Sequence, residues 1–162
     1  MQGVLVFDVN ETLLDLTALD PHFERAFGDV RVRSEWFATV LRNSMVSSIT
    51  GRYQDFGKIA GASLDMTAEA RHAGLRDEDR QAILGKVRSL PAHSDVVPGL
   101  EKLRTAGARM ITLTNSPPEV VEAQLKNAGL TDFFEKQLSV DAVRRFKPAS
   151  EGSAGGTASG RP

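Results

Sequence analysis

The sequence predicts an α/β protein built on a parallel sheet, and two observations support this fold class. A continuous apolar run, Val4 to Phe7, lies near the start of the chain, and such runs are typical of strands fully buried within parallel sheets. In the second half of the chain, helix-like and strand-like patterns alternate, as they do in βαβ units. Such units have right-handed crossovers, so we expect the strands to share one sheet.

The second half of the chain supplies the later strands of this sheet. Its predicted elements are a helix over 99–107, a strand over 108–114, a helix from 117 to 128, and a short strand assembled from 133–134 and 137–140. Pro98 fits the start of the first helix, and Gly107 and Gly129 fit helix ends. The order of these elements predicts a βαβαβ arrangement.

Residues 14–92 differ in character, since they contain no convincing strand but repeat apolar residues at helical spacing. One predicted helical face carries Trp36, Val40, Leu41, Ser44 and Met45, and another carries Ile59, Ala60, Ser63, Leu64 and Ala70. We therefore expect residues 14–92 to form a helical cap inserted into a core made of residues 1–13 and 93–148.

The last segment, 149–162, is rich in Gly and Ser and has no large apolar residue. Such a segment cannot contribute to a hydrophobic core, so we expect it to be a disordered tail.

Composition and charge exclude several classes of function. The chain has 162 residues, about one domain, and its 20 Lys and Arg nearly balance its 21 Asp and Glu. It lacks the positive field that binding to nucleic acid or to an anionic membrane needs. The absence of Cys excludes disulfides and thiolate chemistry and fits a cytoplasmic protein. No apolar stretch reaches the roughly 18 residues of a membrane span.

Polar side chains follow each predicted strand. Asp8 comes directly after the first strand, Thr114 and Asn115 end the second, and Lys147 follows the third. Because ligands bind at the carboxyl ends of parallel strands, we expect these groups to converge. A carboxylate beside amide, hydroxyl and ammonium groups suits a nucleophile with charge stabilisation. The alternative is that Asp8 only caps a turn.

Three short segments carry a family resemblance: 7–15, which begins Phe-Asp-Val-Asn-Glu-Thr-Leu, 113–116 (Leu-Thr-Asn-Ser) and 146–148 (Phe-Lys-Pro). In this order they resemble the signatures of the haloacid dehalogenase superfamily, and the helical stretch around Trp36 and Phe56 resembles its type II (L-2-)haloacid dehalogenases. The resemblance implies a Rossmann-like parallel sheet with a helical cap. Family members continue past the Lys-Pro motif with further strands beside the first one, so we expect an incomplete sheet here, with the strand before Asp8 as an uncovered, hydrophobic edge.

The resemblance also implies residue roles. Asp8 would displace halide from a 2-haloacid, forming an ester that water then hydrolyses. Thr12 and Thr114 would hold Asp8 or the substrate carboxylate, Asn115 would donate to the leaving halide, and Lys147 would pair with Asp8. The implied substrate-binding residues are Asn10, Leu41 and Phe56, and the alternative for Leu41 and Phe56 is that they only form part of the core of the cap. The resemblance implies no metal and no cofactor, a small 2-haloacid as the substrate, and a homodimer as a possible assembly.

Asn10 separates two reactions within the superfamily. Superfamily phosphatases carry Asp two positions after the nucleophile, where it protonates the leaving alkoxide. An amide cannot do so, and a halide needs no proton, so Asn10 favours dehalogenation. A phosphatase-like hydrolase and an inactive, truncated family member remain alternatives.

One position departs from the family pattern. Type II dehalogenases usually have an Arg directly after the Trp that matches Trp36, where it accepts the halide, and this chain has Phe37. A phenyl ring does not replace a guanidinium charge. Arg42 could compensate only if the cap docks differently.

Overall fold

The structure is a computed structural model, and it describes residues 3–150. Its strands and helices, in chain order, are β1 (Val4–Phe7), α1 (Asp20–Phe27), α2 (Val32–Ile49), α3 (Phe56–Ala70), α4 (Asp77–Lys86), α5 (Val96–Thr105), β2 (Arg109–Thr114), α6 (Pro118–Asn127) and β3 (Lys136–Ser139). Short 3₁₀ turns lie between them, including Val87–Ser89 and Val140–Ala142. None of the helices in this described part is long and apolar enough to cross a membrane. Of the tail predicted to be disordered, 149–162, the structure describes Ala149 and Ser150, and the Ala149 N–H donates to the Phe146 carbonyl at 3.0 Å. The remainder, 151–162, lies outside the described residues.

The described strands form a parallel sheet in the order β1-β2-β3. Val4 pairs with Arg109, and Ile111 pairs with Lys136. The predicted α/β class is therefore confirmed. The carboxyl ends of all three strands lie at one edge of the sheet, with β2 between the other two.

The prediction that β1 is fully buried is wrong for the described chain. Val4 and Leu5 are each 39% exposed and Val6 is 56% exposed. The reason is position, because β1 lies at the edge of the sheet and, among residues 3–150, pairs only with β2. In the central strand β2, by contrast, the successive residues Thr112 and Leu113 are buried on opposite faces of the sheet.

Some predicted boundaries also move. Helix α5 begins at Val96 rather than Gly99 and ends at Thr105, while Gly107 takes a left-handed φ of 76° just beyond it. The pair 133–134 is not part of β3, because Phe133 ends a 3₁₀ turn and Phe134 packs edge-on against Phe7, at 5.8 Å between ring centroids. Aromatic residues at this point fill the core below β1 instead of extending the sheet.

Helices α1 to α4 occupy the segment between β1 and α5, and α2 packs against α3. The Trp36 Nε1–H of α2 donates a hydrogen bond to the Ala60 carbonyl of α3 at 2.9 Å. Of the two predicted faces, Met45 and Ala70 are exposed. Met45 lies beside the buried face of α2, which runs through Val40, Ser44 and Ser48, and Ala70 is the last residue of α3. The buried cluster continues without a break from these helices to the sheet, through residues such as Phe23, Leu14 and Phe146.

A buried carboxylate, Asp79, lies in the first turn of α4. It accepts hydrogen bonds from Arg76 at 2.8 Å and from Arg25 at 2.6 Å. The bond from Arg76, with that from Arg25, lowers the pKa of Asp79 despite the opposing effect of burial. Asp79 thus ties α4 to α1.

We expect Asp79→Asn to lower the thermal unfolding temperature at pH 7, because the variant loses two charge-assisted hydrogen bonds. A carboxyl whose pKa is lowered by folding stabilises the protein above its unfolded-state pKa of about 3.9, and this stabilisation is lost as the pH falls further. The difference between wild type and variant should therefore shrink below about pH 4. Thermal melts followed by circular dichroism from pH 3 to 7, with the exposed Asp132→Asn as control, measure it. A difference that stays constant over this range contradicts the prediction.

Candidate active site

The polar residues that follow the strands meet at one cavity of about 190 Å³. Asp8 comes from the end of β1, Thr114 and Asn115 from the end of β2, and Lys147 from the loop after β3. All eight site residues predicted from the sequence line this cavity: Asp8, Asn10, Thr12, Leu41, Phe56, Thr114, Asn115 and Lys147. Glu11 and Phe37 complete its wall. We call it the Asp8 cavity.

Asp8 and Lys147 form the charged centre of the cavity. Lys147 Nζ lies 2.6 Å from Asp8 Oδ1 and also donates to the Leu113 carbonyl at 2.8 Å. The Asp8 side chain is 46% exposed and that of Lys147 is 24% exposed. Asp8 Oδ2 accepts no hydrogen bond from residues 3–150, so this oxygen is available to attack a bound molecule.

Asn115 links the end of β2 to the lysine. Its Oδ1 accepts a hydrogen bond from the Lys147 backbone N–H at 3.0 Å. This contact fixes which end of the amide faces the lysine backbone. The Nδ2 donors of Asn115 have no partner within the described chain, so they can donate to a ligand in the cavity.

The two threonines occupy different settings. Thr114 is buried, and its Oγ1 accepts a hydrogen bond from the Ser116 N–H at 3.1 Å. Thr12 lies in the exposed part of the wall. Neither hydroxyl hydrogen-bonds to Asp8 among residues 3–150, so the predicted contact with the nucleophile is not formed here. Their predicted contact with a substrate carboxylate stays a prediction.

Asn10 lines the cavity with its polar atoms already engaged. Its Nδ2 donates to Ser116 Oγ at 3.2 Å, and its Oδ1 accepts from Gln124 Nε2 at 3.1 Å. Gln124 is fully buried in α6 and also donates to the Val87 carbonyl at 2.9 Å. Gln124 is not among the predicted site residues, although a glutamine on the same helical face as the apolar Val121 is a usable signal of a buried polar contact.

The apolar wall comes from α2 and α3. Leu41 and Phe56 lie in it, as predicted, together with Phe37. Arg42 does not compensate for the missing arginine, because it is exposed, donates to Thr39 and lines a different cavity.

The nearest arginine on the Phe37 face of α2 is also occupied. Arg33 pairs with Asp20 at 2.6 Å and with Glu11 at 3.3 Å. Of the residues that line the Asp8 cavity in the described chain, Lys147 is therefore the one cation. Residues 3–150 contain no cluster of three or more His, Asp or Glu side chains with the geometry of a metal site.

Contacts from the helical segment hold the loop that carries Lys147. Ser48 Oγ, near the end of α2, accepts from the Phe146 N–H at 2.8 Å, and the Phe146 ring stacks on Tyr53 at 5.1 Å. The Tyr53 hydroxyl donates to Asp141. Burial, followed by this hydrogen bond, raises the pKa of Tyr53 and keeps the donor protonated. The position of Lys147 thus depends on residues more than 90 positions earlier in the chain.

A family model described as haloacid dehalogenase-like hydrolase matches residues 3–154. The chain belongs to the haloacid dehalogenase-like hydrolases. The match includes all the residues that line the Asp8 cavity.

Relatives with more specific names resemble this haloacid dehalogenase-like chain over most of its length. It is 30% identical to (S)-2-haloacid dehalogenase 1 of Pseudomonas sp. (strain CBS-3), covering 88% of this chain and 64% of that protein. It is 33% identical to the (S)-2-haloacid dehalogenase of Xanthobacter autotrophicus, covering 91% of this chain and 58% of that protein. The chain thus spans about three fifths of the length of these relatives.

A solved structure supports the fold. The L-2-haloacid dehalogenase of Xanthobacter autotrophicus with chloropropionic acid covalently bound matches with a TM-score of 0.86 at 28% identity. The match covers 95% of this chain and 63% of that one. It confirms the predicted haloacid dehalogenase-like fold.

Proposed function

We propose that this chain releases halide from 2-haloacids through an ester with Asp8. The observation that carries the proposal is the free Asp8 Oδ2 in a cavity with an apolar wall, beside the donors of Lys147 and Asn115. Two observations support this reaction class. Relatives of this chain are named (S)-2-haloacid dehalogenases, and the similar Xanthobacter autotrophicus structure has chloropropionic acid covalently bound.

The reaction has two steps. Asp8 Oδ2 attacks C2 of the substrate, a C–O bond forms, and the carbon–halogen bond breaks with its electron pair leaving on the halide. Water then attacks the carbonyl carbon of the Asp8 ester. The ester C–O bond at that carbon breaks, the 2-hydroxy acid leaves, and the carboxylate is restored with release of one proton.

The cavity supplies a role for each group in these steps. Lys147 balances the charge of Asp8 and attracts the substrate carboxylate, since an ammonium group beside two carboxylates stabilises both. The unpartnered Nδ2 of Asn115 donates to the departing halide. Leu41, Phe37 and Phe56 exclude water from C2, which leaves the carboxylate of Asp8 less solvated and more nucleophilic.

Asn10 weighs against a phosphatase-like reaction. Its amide cannot protonate a leaving alkoxide, and its oxygen and nitrogen are used by Gln124 and Ser116. Asn10 therefore shapes the cavity wall rather than performing acid catalysis. Phosphate release from a generic phosphate ester, in place of halide release, would support the phosphatase alternative.

An isotope experiment tests the proposed reaction. Under single-turnover conditions in H₂¹⁸O with 2-chloropropionate, we expect chloride release while the product lactate carries ¹⁶O, because its new oxygen comes from Asp8. Mass spectrometry of the protein should find ¹⁸O in the peptide that contains Asp8. ¹⁸O in the first-turnover lactate would show direct attack by water, and the absence of any halide release would indicate a family member without turnover.

Two parts of the chain form the walls of the Asp8 cavity. We propose that residues 14–92 act as a cap over a core formed by 1–13 and 93–148, since the Asp8 cavity takes its apolar wall from the first and its charged groups from the second. A cytoplasmic location, in keeping with the Cys-free sequence, and a homodimer belong to the same proposal.

A further inference from the structure

A second cavity of about 130 Å³ lies next to the Asp8 cavity. Asn10, Phe37 and Phe56 line both, so the second cavity begins where the first ends. We call it the annex. Its other lining residues come from the turn before α1, from α2 and α3, from the end of α4 with the turn after it, and from the segment that leads into α6: Leu16, Trp36, Val40, Gly57, Ala60, Leu84, Val87, Arg88, Ser116, Pro117 and Val120.

Most of the polar groups in the wall of the annex already have hydrogen-bond partners within the protein. Asn10 and Ser116 hydrogen-bond to each other, and the Trp36 N–H is used by the Ala60 carbonyl. Arg88 is exposed, and its guanidinium donates to the Glu119 carbonyl at 3.5 Å. An apolar group entering the annex therefore breaks none of these hydrogen bonds, whereas a polar group would find few partners.

The volume of the annex limits the size of the group that it can hold. An apolar protein cavity of about 150 Å³ accepts benzene, a six-carbon ligand. The annex is slightly smaller, so it fits an apolar group of about four to six carbons. A methyl group would leave most of it empty.

We propose that the annex receives the C2 substituent of the substrate, so that the preferred substrates are 2-haloacids with an apolar substituent of about four to six carbons. This inference rests on the proposed dehalogenation. Once C2 lies at Asp8 Oδ2, with the carboxylate at Lys147 and the halide at Asn115, the remaining substituent faces the apolar wall. Phe37 and Phe56 then lead it from the Asp8 cavity into the annex.

The test compares 2-bromohexanoate with 2-bromopropionate. Each additional buried methylene is worth about a fourfold gain, so three of them raise kcat/KM by up to about 60-fold. We expect a ratio of kcat/KM for the longer over the shorter substrate of at least tenfold in the wild-type chain. A ratio of one or less overturns the inference and leaves the proposed dehalogenation intact.

Two matched variants test whether the annex causes the difference in kcat/KM between the two substrates. Ala60→Leu fills the annex, and we expect it to lower the ratio tenfold or more. Ala62→Leu places the same side chain on the exposed face of the same helix and should leave the ratio unchanged. Equal changes of the ratio in both variants would contradict the proposal that the annex receives the C2 substituent. If Ala60→Leu does not fold, Val120→Phe fills the annex from α6 instead.

Binding of the product distinguishes the two proposals. Calorimetry with 2-hydroxyhexanoate and with lactate measures occupancy of the annex without turnover. One outcome would uphold the role of the annex and contradict the proposed reaction. In this outcome neither bromoacid releases bromide, the longer hydroxy acid binds at least tenfold more tightly than lactate, and Ala60→Leu removes this gain in affinity. Equal affinities for the two hydroxy acids would overturn the annex.

Discussion

Asp8→Asn is expected to abolish halide release from 2-chloropropionate, with kcat/KM reduced on the order of ten-thousand-fold or more. The amide has nearly the shape of the carboxylate but carries no negative charge, so the C–O bond to C2 does not form. Ion chromatography of released chloride over many hours measures the loss. The variant should also fail to take up ¹⁸O at position 8 when it is incubated with the substrate in labelled water.

The exposed Asp132→Asn serves as the matched control, since it removes one carboxylate far from the cavity. It should release chloride at the wild-type rate. Circular dichroism establishes that both variants fold. Halide release at the wild-type rate by Asp8→Asn would show that another group performs the displacement and would remove the basis of the proposed mechanism.

Lys147→Met is expected to reduce kcat/KM for 2-chloropropionate by about 10²- to 10³-fold, the usual cost of removing one preorganised charged donor from an active site. Lys147 Nζ bridges Asp8 Oδ1 and the Leu113 carbonyl. Met keeps a similar length and removes the charge. Steady-state chloride release over a range of substrate concentrations separates the loss in kcat from the rise in KM.

Lys147→Arg retains the charge with a different shape and should recover part of the loss. Lys102→Met, on the exposed surface of α5, removes one positive charge elsewhere and should have no effect. If Lys147→Met and Lys102→Met behave alike, the lysine has no role in the reaction, and the charge of Asp8 needs no partner within the cavity.

The fold could be predicted where local pattern decides the structure. The run Val4 to Phe7 is β1, and the prolines and glycines mark the limits of α5 and α6 within a few residues. The apolar pattern alone predicts a buried β1. Its edge position follows only from the expectation of an incomplete sheet, because the exposure of an edge strand depends on its neighbours in space. The aromatic pair Phe133 and Phe134 has strong strand propensity, but tertiary packing against Phe7 gave it another role.

The candidate site shows the same division. Asp8, Thr114 and Asn115 could be found from the sequence because each ends a strand, and the strand ends share one edge of the sheet. The partners of Gln124 and Tyr53 could not be found, because their contacts with Asn10 and Asp141 join segments 114 and 88 positions apart. Such contacts follow from how α6 and the helical segment pack, which no local pattern records.

The attachment of the Lys147 loop to α2 has a consequence for substrate entry. The same helix supplies Phe37 and Leu41 to the cavity wall and, through Ser48, holds Phe146 next to the lysine. A displacement of α2 would therefore move the apolar wall and the Phe146 backbone together. The lysine that follows is also held at the end of β2, by Asn115 and the Leu113 carbonyl, so the entrance would widen while the ammonium group keeps its contact with Asp8.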